Sequence, residues 1–162
     1  RLMHPVRTRR RVLESLAKAK ALLDVRAESR LQHHALSEAV LHQIQETFIA
    51  LVRQVGYAHG FKPESIQGLE DLVDQLRSRQ LVSLETQKLE RLANDPASWW
   101  NAYQAYTAQI VCPAEVVESV DVNRIPLTDA SGLDQLKTKR YAPWVGELST
   151  LVTDLQVQFD ES

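Results

Sequence analysis

The chain is poor in the residues that staple or punctuate a fold. One cysteine in 162 residues, Cys112, has no partner for an intramolecular disulfide and cannot build a Cys-based zinc site. Nothing in the sequence therefore depends on an oxidising compartment. Glycines number five, and from Val6 to Val55 there is neither glycine nor proline. That leaves little room for a sheet of short strands joined by tight turns. No apolar run approaches the ~18–20 residues of a membrane span, so no transmembrane helix is expected. The basic start is not followed by an apolar signal core, so the cytoplasm is the expected compartment. A glycine-rich phosphate loop, H-E-x-x-H and G-x-S-x-G are all missing, which removes the standard signatures of nucleotide hydrolases, zinc proteases and α/β-hydrolases.

What is present points to helix. Apolar residues make up 44% and charged residues 25%, the balance of one soluble globular domain. Leu, Ala, Gln, Glu, Lys and Arg dominate, and all are good helix formers. The expectation is an all-α helical bundle of four main helices, with short helices and one long irregular connection. It divides into a basic arm, residues 1–11, and a single helical domain, residues 12–162.

The periodicity places the helices. Val12, Leu16, Ala19 and Leu23 share one face of a helix from about Thr8 to Arg26. Val40, Leu41, Ile44, Phe48, Leu51, Val52 and Val55 make a broad stripe on a second, Leu31 to Gly56, with "YAHGFKP" as the exit. A third runs Gly68 to Arg79, and Ser83 reads as the N-cap of a short fourth, Leu84 to Ala93. Asp95 is expected to cap the next helix, with Pro96 in its first position. There Trp99, Tyr103, Tyr106 and Ile110 fall at i, i+4, i+7 and i+11, an inward seam, while Trp100 lies off it at the edge. From Cys112 to about Ala142 the pattern is lost: "VVESVDVNRIPL" suits an extended connection and "DASGLDQLKTK" a short helix. A last helix from near Pro143 uses Trp144, Leu148, Leu151, Leu155 and Phe159.

With this order of elements, "NDPASWW" after the "ETQKLERLA" helix, "RIPL" in the long connection and the final "PWVGELSTLV" resemble a family of short proteins of unknown function from pseudomonads and other gammaproteobacteria. The resemblance spans most of the chain and implies a small, soluble, helical bacterial protein. None of its motifs is a catalytic signature, so it implies no active residue.

Four features could carry chemistry. The aromatic stretch has no Lys or Arg between Pro96 and Cys112, so it reads as core rather than as a stacking platform for single-stranded nucleic acid. His34, Glu38 and His42 are spaced i, i+4, i+8 but drift around the helix, and no inward Glu-x-x-His pair exists; no metal or other cofactor is expected. His33 is the more inward histidine, expected to be buried and hydrogen-bonded. "RQVGYAH" puts five residues between Arg53 and His59, similar to the Arg–His motif of helical ribonucleases of the higher-eukaryote and prokaryote nucleotide-binding group. There the pair contacts phosphate and moves protons.

Charge is uneven. Residues 1–30 carry nine basic side chains against three acidic ones, a balance of +6, so the remainder carries −8 in a chain of net −2. Arg7, Arg9, Arg10 and Arg11, with Arg53 and His59, are the candidate nucleic-acid contacts. No catalytic residue is assigned. The leading expectation is a non-enzymatic protein–protein interaction module, a homodimer or the partner of another protein. The alternative is a nucleic-acid-binding or ribonuclease-like bundle.

Overall fold

The computed structural model describes residues 3–111 and 141–161, and these are all-helical. They form α1 (Met3–Leu23), α2 (Arg30–Ala58), α3 (Leu69–Ser78), α4 (Leu84–Asn94), α5 (Trp99–Val111) and α6 (Tyr141–Glu161), with one 3-10 turn at Pro63–Ser65. Three helices are long, at 21, 29 and 21 residues for α1, α2 and α6. The other three have 10 to 13. α1 lies along α2 and α6 packs on both, while α2 also meets the 3-10 turn, α3 and α4. The long connection from Cys112, its extended and helical portions and Cys112 itself lie outside the described residues. Ala142 belongs to α6.

Local chemistry explains the boundaries. α1 begins at Met3, ahead of the expected Thr8, and ends at Leu23. Backbone bonds from Asp24 to Ala21 and from Val25 to Leu22 tighten its exit. The Ser29 hydroxyl accepts the Gln32 N–H and opens α2. Gly56 does not end that helix, as expected, but lies within it. A Cβ there would stand 3.0 Å from Ile66 Cγ1, so the bare backbone lets the following turn close onto α2. The stop is Gly60, at φ +88. Its N–H donates to the Tyr57 carbonyl and that of Phe61 to Gly56, the pairing of a left-handed C-terminal cap.

Ser83 caps α4 as expected, accepting the Thr86 N–H at 3.1 Å. The start of α5 differs. Asp95 Oδ1 accepts the Ala97 N–H at 2.9 Å in a preceding turn, and Ser98 Oγ takes the Asn101 N–H at 3.2 Å. Ser98 is thus the cap, and Pro96 sits in the turn. The Asn101 amide donates to the Ala93 and Asp95 carbonyls, tying the end of α4 to the start of α5.

The core takes Val12, Leu16 and Ala19 from α1, Ile44, Leu51 and Val55 from α2, Leu72 and Leu89 from α3 and α4, and Leu148 and Leu155 from α6. Each fully buried aliphatic side chain of this size contributes about 1.5–3 kcal/mol. An aromatic row runs through it. Phe48 stacks on Trp100 at 3.9 Å, Trp100 lies 5.0 Å from Tyr103, and Tyr103 meets the edge of Trp144 at 5.8 Å. Tyr106 and Tyr141 continue it, with their hydroxyls 2.9 Å apart. The expected inward side of α5 is therefore rotated. Trp100 is only 4% exposed while Ile110 is 36% exposed, because the flat face of Phe48 on α2 receives Trp100.

Candidate functional site

The arginines of the first turns divide among three surroundings. Arg9 turns to α6, where its Nε donates to Gln156 Oε1 at 3.0 Å and its Nη2 to Asp160 Oδ1. Arg10 is well exposed and reaches Glu14 at 4.0 Å. Arg11 turns to α2 and pairs with Glu46 at 2.8 Å. Arg7 is exposed; it, Arg11 and Arg53 line one surface hollow of about 220 Å³ between α1, α2 and the 3-10 turn.

Arg53 and His59 are not brought together in that hollow. Six residues along a helix amount to about 600° of rotation, which turns the two side chains to different faces. The Arg53 Nε donates to the Ile66 carbonyl at 3.2 Å, and His59 is the C-cap of α2. His59 is not among the residues lining the hollow.

His33, His34 and His42 sit on the N-terminal half of α2. His34 and Glu38 are exposed, and His42 approaches Glu46 at 3.7 Å. Among the described residues no three His, Cys, Asp or Glu side chains are placed to share a metal ion. His33 is the more inward one, as expected, but its buried Nε2 has no hydrogen-bond partner. Burial first, then the neighbouring His34 and Arg30, lower its pKa below the ordinary 6.5. No helix of the described residues is long and apolar enough to cross a membrane.

The surface feature that periodicity missed is the turn between α3 and α4. Leu81 is 41% exposed, Val82 74% and Leu84 63%. Single exposed apolar side chains are ordinary, whereas three within four residues make a patch. The turn is held at both ends. On its first side Gln80 sits at φ 55, and the Gln80 and Leu81 N–H groups donate to the Arg77 and Leu76 carbonyls. On its second side the buried Ser83 caps α4 and also accepts the Thr86 hydroxyl at 2.9 Å. The Arg79 guanidinium stands 4.4 Å over the Phe61 ring and fastens the end of α3 to the exit of α2. Beside the patch lies a hollow of about 300 Å³ whose wall includes Val73, Leu76, Leu81 and Val82. The signal for it in the sequence is "QLVSL", where apolar residues occupy a helix-to-helix turn in which polar ones are usual.

No family model, no curated protein and no solved structure matches this chain.

Proposed function

We propose that the protein is a non-enzymatic helical module that binds another protein through the Leu81–Leu84 turn, in keeping with the small helical bacterial proteins its motifs resemble. The carrying observation is that Leu81 and Val82 in a turn capped on both sides, with Leu84 at the first position of α4, are exposed apolar side chains. A patch held in one conformation loses little entropy on docking, so most of its apolar burial is available for binding. The adjoining hollow can accept an apolar side chain of the partner, the usual anchor of such contacts. Arg9 and Arg10 weigh against the nucleic-acid alternative, because each faces a carboxylate of its own chain.

Affinity capture on the immobilised full chain, after nuclease treatment, tests the reading. A protein retained by the wild type and lost by Leu84→Glu, with the variant keeping its helical circular dichroism, is the expected outcome. Identical retention by both would refute a role for this turn.

A further inference from the structure

We propose that Arg7, Arg11 and Arg53 form a binding site for a single phosphate group, separate from the apolar turn. Arg7 and Arg11 are four residues apart on α1 and so lie one above the other. α1 brings them against α2, where Arg11 meets Glu46 and the hollow between the helices reaches Ala50 and Arg53. Ala50 is buried, 5% exposed, and its small side chain leaves space there. Pro63 of the 3-10 turn stands at the edge. The volume, about 220 Å³, suits one phosphate group and its waters rather than an extended polymer.

The charges suit the same ligand. Three guanidinium groups face one carboxylate, which leaves the hollow at +2. Glu46, the one group that would repel an anion, is held by Arg11 at 2.8 Å. The bond from Arg53 Nε to the Ile66 carbonyl fixes that side chain while using only one of its donors. Arg7 has no ion-pair partner among the described residues. Guanidinium forks match the tetrahedral oxygens of phosphate better than ammonium groups do, and all three cations here are arginine.

Calorimetric titration of the full chain with inorganic phosphate at low ionic strength is the test, with Arg7→Ala, Arg53→Ala and Arg10→Ala beside the wild type. One saturating site is expected, weakened about tenfold or more in Arg7→Ala and in Arg53→Ala and unchanged in Arg10→Ala. A phosphoserine peptide and a 5′-phosphorylated oligoribonucleotide, each with its unphosphorylated control, then show which source of phosphate is preferred. Absence of saturable binding, or equal affinity in all variants, would overturn the proposal. So would oligoribonucleotide binding indifferent to the 5′-phosphate, which would mark an extended nucleic-acid surface instead.

Discussion

His33 and Tyr103 illustrate how one buried polar atom sets a property of the whole fold. The lowered pKa of His33 means that the folded state favours the neutral ring. As pH falls below the ordinary value of 6.5, the unfolded chain takes up a proton first, and stability is lost toward the lower folded pKa. Above that ordinary value the fold bears no such penalty. Urea midpoints at about pH 7.5 and about pH 5 should therefore fall further apart in the wild type than in His33→Leu; an equal drop in both would remove His33 as the cause. Tyr103 is only 1% exposed, and its hydroxyl donates to the Leu41 carbonyl at 2.7 Å. Burial pushes its pKa up to about 12. Tyr103→Phe should cost about 1 kcal/mol in chemical denaturation while leaving the ring stacking in place. A loss near that of a large-to-small core change, ~3 kcal/mol or more, would show that the hydroxyl does more than make this bond. At this scale the sequence marked Tyr103 as inward, since it lies on any apolar face drawn through α5. It set Trp99 inward and Trp100 at the edge, whereas Trp100 is the buried one: the two are about 100° apart on the helix, and Phe48, from a distant segment, makes the choice.

Side-chain caps were legible only in part: Asp95 was expected to cap α5, where Ser98 does so. Ser83 was identifiable from its type and position, and so was the exit after α2, where Gly60 supplies the left-handed residue. Gly56 misled because its role is tertiary: it makes room for Ile66. The end of α3 was expected at Arg79 and lies at Ser78, although Gln80 rather than glycine occupies the left-handed position beyond it. That conformation costs a residue with a Cβ about 1 kcal/mol. Gln80→Gly should thus stabilise the protein by about 0.5–1 kcal/mol in thermal or urea unfolding. Destabilisation instead would mean that the Gln80 side chain makes up for the strain. The same conformation directs the chain into the exposed Leu81–Leu84 turn, so the feature that escaped periodicity also builds the candidate site.

The assembly of the long helices rests on contacts that no local pattern could show. Gln54 of α2 and Gln156 of α6 exchange amide hydrogen bonds at 2.9 and 2.7 Å, and Arg9 of α1 adds its Nε to the Gln156 oxygen. This clasp joins residues about a hundred positions apart in the chain, and it fixes the α1–α2–α6 register among apolar neighbours that would tolerate sliding. Gln156→Leu should cost about 1–3 kcal/mol by stranding the buried Gln54 amide. Adding Gln54→Leu should recover much of that loss, as replacing both partners of a buried pair often does. Strictly additive losses in the double variant would contradict a mutual pair. The all-helical class was readable from composition and spacing. The joining of Arg7, Arg11 and Arg53 was only half readable, since nothing local says that α1 packs beside the C-terminal half of α2.

The proposed meeting of the α3–α4 turn with another protein can be tested in the cell. Its most direct test is a photo-crosslinking amino acid at position 82 of the full chain, illuminated in living cells, with position 18 on exposed α1 as the control. A discrete adduct is expected from position 82, abolished by Leu84→Glu and not reproduced from position 18; an adduct of twice the chain mass would identify the partner as a second copy. No adduct from position 82, or the same adducts from both positions, would contradict it.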